Sequence, residues 1–78
     1  MNKLTAHNEG DSVIIRKING RGDFKKRLLE MGFTKDAEIK IVKYAPLKDP
    51  IEIKIKGFFL SLRIVEADQI LVDNITKS

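Results

Sequence analysis

Apolar and polar positions alternate with a period of two along several stretches of the chain and with a helical period along one. Residues 12–18, Ser-Val-Ile-Ile-Arg-Lys-Ile, are crowded with β-branched side chains and predict a half-buried first strand. Asn19, Gly20 and Gly22 then break the run into a turn. Asp23 stands where it can accept from the free N–H groups of a first helical turn. Phe24, Leu28 and Met31 follow at i, i+4 and i+7, so a short helix with one apolar stripe is expected. Gly32 occupies the place of a left-handed cap, and Phe33 is positioned to fold back on Leu28.

Residues 37–44 predict a second strand, with Ile39 and Ile41 on one face and Glu38 and Lys40 on the other. Pro46 and Pro50 make residues 45–50 a stiff loop, because each removes a ladder donor and biases its predecessor away from helix. Residues 51–56 alternate without a break, Gly57 permits a tight reversal, and Phe58, Leu60, Leu62 and Ile64 share one face of the return strand, which makes a hairpin. About one helical turn is expected over 66–69, a last strand over 70–75, and a frayed tail over 76–78.

These elements predict a mainly β fold: a small SH3-like barrel of about five strands with a short helix between the first two. Closing the sheet would remove exposed edges. An open α+β sheet with the helix packed on it fits the same periodicity. At 78 residues, all of them assigned to a single domain, the chain has room for one small core. Eleven isoleucines and seven leucines supply that core, and 33% charged residues place the chain among soluble globular domains. Cysteine is absent, so no disulfide framework or thiolate metal site is available, and a reducing cytoplasm is the simplest home. No stretch approaches the ~20 apolar residues needed to span a bilayer, and the first seven residues lack a signal-peptide core. The net charge of +4 is dispersed among acids and does not single out a nucleic-acid partner.

Candidate chemistry is sparse. His7, Glu9 and Asp11 are spaced by two and would point the same way in an extended segment, but no second histidine completes a metal site, and a solvated polar N-terminus is the simpler reading. Glu66, Asp68 and Asp73 read as turn and strand charges rather than a catalytic pair. Ser12, Ser61 and Ser78 have only His7 as an imidazole partner, and the glycines follow no phosphate-cradling pattern, so no enzymatic activity is expected. Arg21-Gly22-Asp23 and Asn74-Ile75-Thr76 match short motifs by chance. Lys40, Lys54 and Lys56 occupy outward strand positions and could form a basic strip. However, Glu38 and Glu52 share those faces, and Tyr44 and Phe59 are the only aromatics expected outside, too few to stack bases.

The unusual segment is the proline loop, whose preorganised backbone would lose little entropy on docking. Tyr44, Leu47 and Phe59 are candidate anchors of a protein interface; plugging the end of the barrel is the competing role.

Three motifs in order, Arg27-Leu28-Leu29-Glu30-Met31-Gly32-Phe33, Ala45-Pro46-Leu47-Lys48-Asp49-Pro50-Ile51, and Leu60-Ser61-Leu62-Arg63 with Glu66-Ala67, resemble those of FeoA, the small ferrous iron transport protein A of bacteria. The resemblance covers residues 10–72. Asp36 departs from it, standing where the family usually has glycine, so a different turn shape is expected there. The resemblance implies an SH3-like domain in the cytoplasm, peripheral to the inner membrane. It would assist FeoB, the membrane ferrous iron transporter with a GTPase domain, without a cofactor and without carrying iron or hydrolysing GTP itself. Contact with the membrane would run only through that transporter, and no nucleic acid is expected. Partner-binding residues on this reading are Tyr44, Pro46, Leu47, Lys48, Asp49, Pro50, Phe59 and Arg63. An SH3-like nucleic-acid-binding or iron-dependent regulatory module is the alternative. Related domains end iron-dependent repressors, but this chain lacks the DNA-binding and dimerisation portions.

Overall fold

The computed structural model describes residues 1–76, and everything structural below refers to those residues. Six strands, β1 (Asn2–Lys3), β2 (Ser12–Ile18), β3 (Glu38–Tyr44), β4 (Ile51–Ile55), β5 (Phe58–Leu62) and β6 (Ile70–Asn74), form one antiparallel sheet. Its order is β1-β6-β2-β3-β4-β5. Helix α1 (Gly22–Glu30) lies between β2 and β3 in the chain, and a four-residue helix, α2 (Ile64–Ala67), lies between β5 and β6. The mainly β expectation with a helix after the first long strand therefore stands. The additional strand is β1, in the segment read as a solvated terminus.

The sheet curls where two bulges tighten its twist. Ser12, Val13 and Ile14 pair with β3, while Val13 to Ile18 pair with β6 across a register shift between Ile15 and Lys17. A second shift falls between Ile41 and Lys43, where Gly10 N–H donates to the Ile41 carbonyl (2.7 Å) and Ile41 N–H to the Asp11 carbonyl (2.9 Å). The period-two side chains point into the curl: Val13 and Ile15, Ile39 and Ile41, Ile51, Ile53 and Ile55, and Ile70 and Val72 are all buried. Leu28 and Phe33 reach the same cluster from α1 and its cap, and no buried polar or charged residue interrupts it among the described residues.

Helix α1 ends as its sequence predicts and begins differently. Gly32 adopts φ +97°, Phe33 N–H donates to the Leu28 carbonyl (2.9 Å) and Gly32 N–H to the Leu29 carbonyl (3.1 Å), a Schellman cap. At the other end the N-cap is Arg21, with no side-chain cap bond, so Asp23 does not cap the helix. The helix starts at Gly22 and places Asp23 within its first turn, where its carboxylate acts only through the helix dipole. Asp36 takes φ +71° in the turn before β3, a left-handed conformation that glycine adopts more readily than aspartate. Its N–H donates to the Ile15 carbonyl (2.7 Å) and its carboxylate accepts from Arg16 Nη1 (2.7 Å), contacts that offset the strain.

The β4–β5 hairpin turns on Lys56 (φ +49°) and Gly57 (φ +85°), the type I′ pattern. Register pairs Ile55 with Phe58, Ile53 with Leu60 and Ile51 with Leu62, so the shared face is as expected. Two details differ. The strand stops at Leu62, and α2 begins at Ile64, two residues before the expected helical turn, because the Glu66 carboxylate accepts from Arg63 N–H (2.9 Å) and starts the helix there. At the hairpin tip Phe58 leaves the core and is 43% exposed. The last strand ends at Asn74 rather than at Ile75, whose N–H donates to the Ser12 carbonyl (2.9 Å). Thr76 is tied to Ser12 through its hydroxyl, so fraying does not include it; Lys77 and Ser78 lie outside the described residues.

On the outer surface Arg16 bridges Asp36 and Asp73 (2.7 Å each), and the N-terminal ammonium lies 3.3 Å from Asp73. The hydrogen bond from Arg16 holds the Asp73 carboxyl below the usual carboxylate range, and the terminal ammonium adds to it. A depressed folded pKa stabilises the fold only where the carboxylate is ionised: in full above about pH 4, and progressively less as pH falls through the folded value. Chemical denaturation at several pH values should therefore show Asp73→Asn less stable than the parent by a constant margin near neutrality, with the two curves converging below about pH 4.

Candidate functional site

The proline loop joins β3 to β4, and its backbone is bonded shut. Lys48 N–H donates to the Ala45 carbonyl (2.6 Å), closing a turn with Pro46 at its second position, and Ala45 N–H donates to the Pro50 carbonyl (3.0 Å). Lys48 is left-handed (φ +66°), and the Asp49–Pro50 peptide is cis. The Asp49 carboxylate accepts from Ile64 N–H (3.2 Å), which ties the loop to the first turn of α2, next to Arg63. Preorganisation was expected from the prolines alone; these bonds add a second cause. Leu47 stands at the tip, 91% exposed, and Pro46, Lys48, Asp49 and Arg63 are exposed around it, with Pro50 half-buried.

Tyr44 behaves differently from the exposed ring the sequence suggests. It is half-buried against the core, its hydroxyl donates to the His7 carbonyl (2.8 Å), and its N–H donates to the Glu9 carboxylate (2.7 Å). Burial raises the phenol pKa, and the charges of Asp11 and Glu9 raise it further, so the hydroxyl remains a donor. Beside it, Thr5, His7, Asn8, Glu9, Ala45, Pro46 and Lys48 line a shallow cleft of about 620 Å³. Glu9 is used by Tyr44, and Asp11 accepts from Asn8 N–H (3.0 Å) and from Asn74 Nδ2 (3.1 Å). Those bonds divert the two acids, and among the described residues no three His, Asp or Glu side chains converge on one point.

Phe59 projects from the outer face of β5, 58% exposed, with Lys54 Nζ 5.6 Å from its ring centroid. It lies three positions before Leu62, so at ~3.3 Å per residue it stands about 10 Å up the strand from the end that meets the loop. Asp49 and the residues around Ile64 thus meet at one end of the molecule, Tyr44 lines the cleft beside Pro46 and Lys48, and Phe59 lies farther along β5, on its outer face. Across that face Lys40 pairs with Lys54 and Lys54 with Phe59, and among the described residues none of Lys40, Lys54 and Lys56 enters an ion pair. Sequence reasoning found these residues singly. It did not show that β5 is the last strand of the sheet, because alternation identifies strands but not their order.

Residues 2–74 match the family model described as the FeoA domain. A Porphyromonas gingivalis protein, a fusion of Fe(2+) transport protein A with the Fe(2+) transporter FeoB, is 40% identical over 76 residues, which are 97% of this chain and 9% of the fusion. The solution structure of a FeoA protein from Chlorobium tepidum superposes with a TM-score of 0.89 at 31% identity, covering 95% of this chain and 70% of that one. A FeoA from Stenotrophomonas maltophilia, crystallised with zinc and described as a unique prokaryotic SH3 domain protein, superposes with a TM-score of 0.82 at 25% identity, covering 94% of this chain and 91% of that one. Among the described residues no helix is long and apolar enough to cross a membrane.

Proposed function

The chain belongs to the FeoA family, and from that premise we propose that it is a non-enzymatic adaptor of ferrous iron uptake which docks on the cytoplasmic side of a FeoB-like transporter through its proline-loop end. In the fusion relative, the matching unit is part of the same polypeptide as a transporter, which favours direct association over a diffusible role. One observation carries the choice of surface: a leucine 91% exposed on a loop whose backbone is held by two internal bonds and a tie to α2. An apolar side chain on a rigid support buries area at little entropic cost, which is the pattern of an interface anchor. Lys48 beside it, and Arg63 next to the α2 residue that holds the loop, are exposed and charged. The adaptor's effect on transport would come from this contact, whether on transporter assembly or on the GTPase domain, with ferrous iron as the transporter's substrate.

Leu47→Asp tests the reading. The substitution removes no core contact, so thermal unfolding should be unchanged, while affinity for the purified transporter should fall by about 2 kcal/mol, or ~30-fold. A folded variant that binds as the parent does would rule out the loop as the interface.

A further inference from the structure

Resting on that docking reading and extending it, we propose that the open edge of β5 takes up an extended acidic segment of the partner protein as a seventh strand. The sheet has two ends, and they are treated differently. At one end β1 has only two residues, too short to template another chain. At the other, β5 presents Phe58-Phe59-Leu60-Ser61-Leu62, a five-residue run in unbroken register with β4 and with neither proline, charge nor bulge to blunt it. Exposed edges of that kind are ordinarily guarded.

The register determines which groups are offered. Ile55 and Phe58 flank a two-residue turn and bond to each other across it, so the next pair, Lys54 with Phe59, and the pair two further on, Glu52 with Ser61, direct their β5 N–H and C=O groups away from β4. No backbone partner beyond β4 meets Phe59 or Ser61 among the described residues, and both residues are exposed. Two donors and two acceptors at a two-residue spacing are the hydrogen-bonding half of a strand-addition site.

Charge decides the occupant. Lys54 sits beside Phe59, Lys56 in the turn, Lys40 across from Lys54 and Arg63 just past the strand; Glu52, half-buried opposite Ser61, is the acid facing them from β4. A second copy of this chain would bring the same cations against their like. A segment alternating acidic and apolar residues would place carboxylates beside Phe59 and Ser61 on the outer face, within reach of the long Lys54 side chain that lies over the Phe59 ring, and apolar side chains beside Phe58 and Leu60.

The probe is a nine-residue peptide alternating Glu with Val, with its Lys counterpart as control, added to the full chain while amide exchange is followed by NMR. The acidic peptide should slow exchange of the Phe59 and Ser61 amides at least tenfold, and the basic peptide should not. Ser61→Pro removes one outward donor at a position where an edge strand accommodates proline, and should abolish that protection. Lys54→Glu with Lys56→Glu, which leaves the backbone untouched, should weaken acidic-peptide binding at least tenfold. Equal binding of both peptides, unprotected Phe59 and Ser61 amides at saturating peptide, or sedimentation showing a dimer that Ser61→Pro dissolves would overturn the proposal. Binding of the purified transporter separates the two readings. If Leu47→Asp weakens it and Ser61→Pro does not, docking stands and strand addition falls. If neither the parent chain nor its variants bind the transporter while the peptide results hold, the docking reading fails and the edge remains a site for acidic strands.

Discussion

Phe33→Ala should cost about 3–5 kcal/mol of folding stability, the range for removing a fully buried aromatic side chain. Phe33 has no exposed surface, and it is placed by the cap that stops α1: Gly32 turns the chain left-handed, and Phe33 N–H returns to the Leu28 carbonyl. The ring thus ties the helix to the interior of the curled sheet, and alanine would leave a cavity bordered by the cap and the sheet, which close only in part around it. At roughly 0.05–0.15 kcal/mol per residue a chain of this length has about 4–12 kcal/mol in total, so about a quarter or more would vanish. Urea denaturation should show a large fall in midpoint with an unchanged slope. A loss below 1 kcal/mol would mean that the helix is not anchored to the core by this residue.

The second large effect is expected at a position whose sequence context looks inert. Leu4→Ala should cost about 2–5 kcal/mol, because Leu4 is fully buried in the short 3-10 turn that follows β1. Were Leu4 part of a solvated polar N-terminus, the same substitution would fall within about 0.5 kcal/mol. Here β1 pairs with β6 through Asn2 with Val72 and Lys3 with Leu71, and the Thr5 hydroxyl donates to Asp68 beside α2. The terminal segment packs on β6 and α2, at the β1 end of the sheet. A midpoint indistinguishable from the parent would detach that segment from the core.

These two positions mark the boundary of what was legible beforehand. Ile39, Ile41, Ile51, Ile53 and Ile55 announced their strands because alternation is a local signal, and Gly32 announced the helix stop for the same reason. Leu4 could not be read, since a single apolar residue has no period and its burial depends on packing against β6 and α2, roughly sixty positions further along the chain. Bulges at Ile15/Lys17 and Ile41/Lys43 were equally invisible, because an extra residue in one strand is recognisable only against its partner. For the candidate site, Pro46 and Pro50 showed a stiff loop directly, whereas the inward turn of Tyr44 depends on the His7 carbonyl and the Glu9 carboxylate, more than thirty residues distant. Phe59 was correctly placed outside, but the open edge beneath it follows from strand order.

Ferrous iron uptake by cells lacking only this chain, with the transporter left intact, tests the adaptor role most directly. Uptake should change on its removal, return with the parent sequence, and fail to return with Leu47→Asp accumulated to the same level. Uptake indifferent to the presence of the chain would contradict that role.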